Sequence, residues 1–305
     1  MWVGVGSDET GAEVLRKQLW QVADYCGGQI LTYAIMSNHF HVLVRVPKTK
    51  PVSDAELLRR YAILYPKPSK YQSARLDTVK AQLKTNEAEA QAWRNRQLAL
   101  MGDLSSFMRL VKQRFSIWFN RSHHRYGTLW AERFKSVLVE AKSGVLRTMA
   151  AYIDLNPVRS GLVSDPKAYR FCGYAEAVAG SSLARRGLVG LGIGQTWSQT
   201  QSAYREILFG KGASVKENRA TISPAALKQV IKEKGRLPLA TVLRCRIRYF
   251  SDGAVLGSQA FVQTQLAFYR SKFGPKPRTA PREIPHIADW GDLTTMRGLR
   301  KGAFG

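Results

Sequence analysis

Apolar residues recur at helical spacing through residues 11 to 26, where Val14, Leu15, Leu19, Val22 and Ala23 fall on one face and Gly27-Gly28 closes the run. Two β-rich runs follow, Ile30 to Ile35 and His39 to Val46, joined by the short turn Met36-Ser37-Asn38. This pattern predicts a hairpin, stopped by Pro47 and Pro51. Residues 52 to 103 read as helical and strongly polar, with few large apolar residues after Tyr71, which predicts a helical insertion on the surface. A strongly patterned helix spans about 104 to 121. Phe107, Val111, Phe115 and Trp118 form its apolar stripe and read as core, while Arg109, Lys112, Arg114 and Arg121 lie largely off it. Lys135 to Glu140 alternates like a strand, and 144 to 155 reads as a helix ending at Asn156-Pro157, since a proline disfavours helical geometry in the residue before it. After Gly180 the composition loosens, predicting a linker near 180 to 195 and then a mostly helical, basic region to residue 305. Within that region, 236 to 262 has a weak helix-turn-helix-like pattern, and no internal repeat stands out.

Charge changes the picture most. The 305 residues hold 47 Lys plus Arg against 22 Asp plus Glu, a formal net charge of +25. Such an excess attracts polyanions over long range, and nucleic acid is the usual one. The alternative is a basic housekeeping protein whose charge is a solvated surface. The basic residues are spread among aromatics rather than along one amphipathic helix, which argues against a membrane-surface role. Cys26, Cys172 and Cys245 lie far apart with no CxxC pair, so they predict neither a disulfide framework nor a zinc ribbon and fit a reducing cytoplasm. No stretch approaches the ~20 apolar residues of a membrane span, and no signal peptide is visible.

Candidate chemistry begins at His39 and His41. On a strand, residues i and i+2 share a face, so the two imidazoles project together while Phe40 enters the opposite layer. Such a pair supplies two nitrogen ligands to a metal and leaves positions open for substrate, although an HxH pair also occurs as a structural or simply exposed feature. The second constellation is Tyr152 with Asn156, an i, i+4 pair on one helix face. A phenol is a poor nucleophile near neutrality, its ordinary pKa being about 10, unless a metal stabilises the charge that develops on the group it attacks. The plain reading is a helix-face aromatic followed by a helix-ending asparagine. Arg133 and Lys135 are candidates for holding a nucleic-acid backbone, or are surface charges beside a strand. Trp118, Tyr126, Trp130 and Phe134 offer stacking surfaces, with Trp118 and Phe134 reading more as core.

The tracts MSNHFHVLVRVP at 36 to 47, YGTLWAERFKSVLVE at 126 to 140 and YIDLNPVRSGLV at 152 to 163 resemble those of the REP-associated tyrosine transposases, members of the HUH single-tyrosine nuclease superfamily. DPKAYRFCGYAEAVAG at 165 to 180 is similar to the segment after the tyrosine helix in that family, so the resemblance spans roughly residues 11 to 180. It implies that His39, His41 and Asn156 bind Mg²⁺ or Mn²⁺ and that Tyr152 is the nucleophile. Arg121, Arg133, Lys135 and Arg159 are the expected DNA contacts. The implied fold is α+β, a ferredoxin-like antiparallel sheet with packed helices. The implied organisation is a catalytic domain over 1–180, with its insertion at about 52–103, and a helical basic accessory region over 181–305. The implied substrate is single-stranded or hairpin DNA, cut and rejoined through a 5′-phosphotyrosine, in a cytoplasmic, nucleoid-associated setting; monomer and homodimer are both open.

The chain departs from that family in one place. Family members begin with a strand that lies beside the histidine strand, whereas only Met1 to Thr10 precede the first helix here, with Trp2-Val3-Gly4-Val5 as the candidate stub. A missing strand would leave a sheet edge unpaired. The alternative expectation is therefore an N-terminally truncated copy that binds single-stranded or hairpin nucleic acid without cutting. A third is a metal-dependent hydrolase of RNA or nucleotides, in which the histidine-held metal activates water.

Overall fold

A computed structural model describes residues 9–47, 51–66, 75–85, 87–209, 254–274, 281–283 and 293–296. The expected first strand falls in residues 1–8 and most of the helix-turn-helix-like tract in 236–253; both lie outside the described residues.

The protein is α+β. Helix α1 (Glu9–Cys26) buries Leu15, Leu19 and Val22 and is terminated at Gly27, whose φ of +70° a side chain rarely adopts. Strands β1 (Gln29–Ile35) and β2 (Phe40–Arg45) form the predicted antiparallel hairpin, in a register that pairs Thr32 with Leu43, Ala34 with His41 and Ile35 with Phe40. On its other side β1 meets Phe171 and Cys172: the Ile35 N–H donates to the Phe171 carbonyl at 2.9 Å. β1 is therefore paired on both edges and buried almost throughout.

Two helical layers cover the hairpin. On one face Ile30, Tyr33 and Ile35 pack with α1 and with α5 (Leu104–Ser122), whose Phe107, Val111 and Phe115 are buried as predicted. The insertion is helical, as α2 (Asp54–Leu64), α3 (Leu76–Thr85) and α4 (Ala88–Leu98), yet it does not merely lie on the surface. Leu57, Leu64, Val79 and Trp93 enter this same core, so a few large apolar residues per helix suffice to dock it. Arg94 pairs with Asp54 at 2.7 Å and ties α4 to α2.

The other face carries Leu31, Ala34 and Leu43 against α6 (Ser143–Asp154), α8 (Gly173–Val178), α9 (Ser182–Val189) and α10 (Trp197–Phe209). After α6 a four-residue turn of helix, α7 (Asn156–Arg159), carries the chain past Pro157. The expected linker near 180 to 195 is largely α9. Ala184 and Leu188 are buried, and Gly187 lies so close to β1 that a Cβ there would meet the Ile30 carbonyl oxygen at 2.4 Å. α10 joins the same core through Tyr204 and Leu208, and its buried Arg205 pairs with buried Asp165 at 2.7 Å.

The strand expected at 135–140 is short, β3 (Leu138–Val139), and its partner is remote. It runs parallel to β4 (Val255–Ser258), which pairs antiparallel with β6 (Leu293–Met296), itself paired with β5 (Arg282–Glu283). Helix α11 (Gln259–Phe273) follows β4, so the C-terminal region is not purely helical. Buried Glu140 clasps this sheet by accepting from the Ser258 backbone N–H at 2.6 Å and from its hydroxyl at 3.1 Å. Among the described residues, no helix is long and apolar enough to cross a membrane.

Candidate active site

The hairpin turn sets the two histidines. The Met36 N–H donates to the His39 carbonyl at 2.8 Å, and the His39 Nδ1 lies 2.6 Å from Asn38 Oδ1. The imidazoles stand edge to face with centroids 5.0 Å apart. Phe40, between them in sequence, points to the other layer and meets the Trp130 ring at 5.9 Å. Period two therefore behaves as expected. Leu43, two residues beyond His41 on the same strand face, is buried in the core that also holds Tyr152 and Ile153.

Asp154 fixes α6 on the sheet. Its buried carboxyl accepts from Thr32 Oγ1 at 2.8 Å, Tyr204 Oη at 2.6 Å and the Tyr174 N–H at 3.1 Å. Burial pushes its pKa up to about 7 against the opposing pull of these hydrogen bonds. Residues two apart on a helix project roughly 160° from each other, so Tyr152 leaves α6 on a flank other than the one Thr32 holds, and Asn156 opens α7 just beyond it.

On that flank three residues are gathered. Tyr152 is only 3% exposed. The Arg159 guanidinium lies over its ring at 4.0 Å and donates to its backbone carbonyl at 2.5 Å. The Asn156 amide nitrogen donates to the carbonyls of Tyr152 at 3.3 Å and Ile153 at 3.0 Å. Two carbonyl acceptors demand the NH₂ end, which fixes the amide's orientation and turns Oδ1 away from them. The buried side chain cannot flip without losing both bonds.

The structure thus brings His39 to His41, and Tyr152 to Asn156 and Arg159. Among the described residues, no three His, Cys, Asp or Glu side chains cluster to hold a metal.

The expected DNA contacts lie in different settings. Arg133 is exposed at the mouth of a cleft, Lys135 is exposed and 3.9 Å from Glu132, and Arg121 is exposed in the last turn of α5. Arg159 is half-buried and packed on Tyr152, so its first contact is with the candidate nucleophile. Trp130 is fixed by its Nε1, which donates to the Lys112 carbonyl at 3.1 Å and to Ser116 Oγ at 2.8 Å, while Tyr126 is 96% exposed. Sequence reasoning missed Asp154. Its only signal was a carboxylate between Ile153 and Leu155 in a run that is otherwise apolar.

Comparisons with protein-family models, with curated proteins and with solved structures give no match.

Proposed function

We propose that this protein is a divalent-metal-dependent endonuclease and strand transferase of single-stranded DNA, acting through Tyr152 on hairpin-forming repeats in the manner of the family its motifs resemble. The observation that carries the reading is the pairing of two imidazoles with centroids 5.0 Å apart on a hairpin packed against α6, the helix that bears Tyr152. His39, His41 and Asn156 Oδ1 are the ligand set for Mg²⁺ or Mn²⁺, which when bound supplies charge stabilisation to the phosphate under attack. The reading takes the Tyr152 flank of α6 as the one facing these imidazoles.

The Tyr152 phenol oxygen attacks phosphorus, the bond to the 3′ oxygen breaks, and that oxygen leaves as a hydroxyl after taking up a proton. A second 3′ hydroxyl reverses the step on the phosphotyrosine, so one phosphodiester is exchanged for another and no external energy source is needed. Arg159, stacked on the ring, keeps the phenol in one orientation and adds positive charge beside it.

A second reading has its own observation. With Tyr152 only 3% exposed, a protein that binds single strands or hairpins without cutting keeps this residue as core. Incubation of end-labelled hairpin DNA with the protein and Mn²⁺ distinguishes the two. Cutting predicts a denaturation-resistant adduct that disappears in Tyr152→Phe; tight binding with no adduct in the wild type establishes the binder. Release of free 5′ phosphate, unaffected by Tyr152→Phe, would instead indicate a hydrolase.

A further inference from the structure

A cleft of about 470 Å³ lies between the first half of α5 and residues 133–134, lined by Ser105, Ser106, Arg109, Lys112, Arg133 and Phe134. Helix periodicity builds one wall, because Ser105, Arg109 and Lys112 stand at i, i+4 and i+7 on α5. Three cations and no acid are among the lining residues. The acids nearby are engaged: Asp103 accepts from the backbone N–H groups of Ser105 and Ser106 at 3.3 and 2.6 Å, and Glu132 lies 3.9 Å from Lys135. Lys112 is fixed by donating to the Glu132 carbonyl at 2.8 Å and lies 5.1 Å from the Trp130 ring centroid. Burial first, and the neighbouring Arg133 charge second, lower its pKa, while the Asp103 carboxylate interacts with Arg109. Half-buried Phe134 supplies an apolar surface, and the two serines supply hydroxyls. Volume, charge and an aromatic face together match a nucleotide.

We propose that this cleft binds one nucleotide of a single DNA strand, with its phosphate among Arg109, Lys112 and Arg133 and its base against Phe134. The proposal rests on the reading that the protein acts on single strands, and not on chemistry at Tyr152. Contacts lead from the cleft towards the histidines: Lys112 lies over Trp130, and Trp130 meets Phe40. Among the described residues, β2 has no partner strand on its far edge.

The test uses the full chain carrying Tyr152→Phe, with a labelled oligonucleotide containing 5-iododeoxyuridine. Photocrosslinking is expected at Phe134. Phe134→Leu should abolish the crosslink and weaken binding about tenfold, while Phe134→Tyr restores both. Arg109→Ala should reduce the salt dependence, log Kd against log salt, by about 0.7. Unchanged thermal melting establishes that the variants are folded. Free thymidine monophosphate competing as well as the oligonucleotide would overturn the strand assignment. Affinity and salt slope unchanged in both variants, or a crosslink mapping elsewhere while the Tyr152 protein still forms its adduct, would overturn the cleft and leave the nuclease intact. A wild type that neither binds single strands nor forms an adduct would overturn both.

Discussion

Replacing Asp154 by Asn tests the central packing contact through its pH dependence. The carboxyl has an ordinary value of 3.8 in the unfolded chain and is pushed to about 7 in the fold, chiefly by burial. Below 3.8 it is protonated in both states and has no effect. Between 3.8 and about 7 the unfolded chain has released a proton that the folded chain retains, so stability falls as pH rises and levels off above about 7. At ~1.36 kcal/mol per pH unit, the loss across this window is on the order of 4 kcal/mol. Asn keeps the shape and cannot ionise. Its Oδ1 accepts from Thr32 and the Tyr174 N–H, and its NH₂ donates to Tyr204 Oη once that hydroxyl rotates. Other carboxylates run the opposite way. Arg59 and then Arg60 hold Glu56 down to about 2, and its contribution is lost as pH falls. The informative quantity is therefore Tm of Asp154→Asn minus Tm of the wild type, measured by calorimetry from pH 4 to 8. It should climb by several degrees towards pH 8. A difference that stays flat would mean that Asp154 is already ionised in the fold at low pH, with its three hydrogen bonds outweighing burial.

Other substitutions report on separate contacts. Gly187→Ala places a Cβ 2.4 Å from the Ile30 carbonyl oxygen and should destabilise the protein by about 2–3 kcal/mol in denaturant melts; an unaffected midpoint would show that α9 does not sit on β1. Mn²⁺ should raise the Tm of the wild type, and His41→Ala should abolish that rise while retaining the apo Tm within about 2 °C; equal protection of both proteins would remove His41 from the ligand set. Arg159→Met keeps apolar cover over the Tyr152 ring but loses the charge, so adduct formation should slow by tenfold or more with oligonucleotide affinity little changed. A fall in affinity alone would make Arg159 a simple DNA contact. Trp130→Phe removes a donor to the Lys112 carbonyl and Ser116 Oγ and should cost about 1 kcal/mol of stability.

The hairpin, α1, α5 and α6 were legible because each writes its own period into the sequence. Alternation across Phe40, His41, Val42 and Leu43 separates two layers, and the stripe through Phe107, Val111 and Phe115 is continuous over three turns. The segment at 180–195 misled for a physical reason. Gly187, Gly190, Gly192 and Gly194 give it the composition of a loop, yet Gly187 is the residue that lets a helix touch strand backbone. That need is invisible until β1 is placed against it. The strand expected at 135–140 is present but short, and its pairing was illegible because its partner Val255–Leu256 is more than 100 residues away and the Glu140 clasp on Ser258 leaves no local trace.

The candidate site divides along the same line. Each half is a local pair: His41 lies on β2 with His39 just before its first residue, and Tyr152 lies on α6 with Asn156 opening α7. On the proposed reading their meeting depends on how α6 is rotated over the hairpin, and no residue of either pair sets that rotation. Asp154 sets it, because Thr32 on β1 and Tyr204 on α10 hold one flank of the helix, and Tyr152 is thereby committed to the other. Tyr152 itself is nearly covered, with Arg159 across its ring.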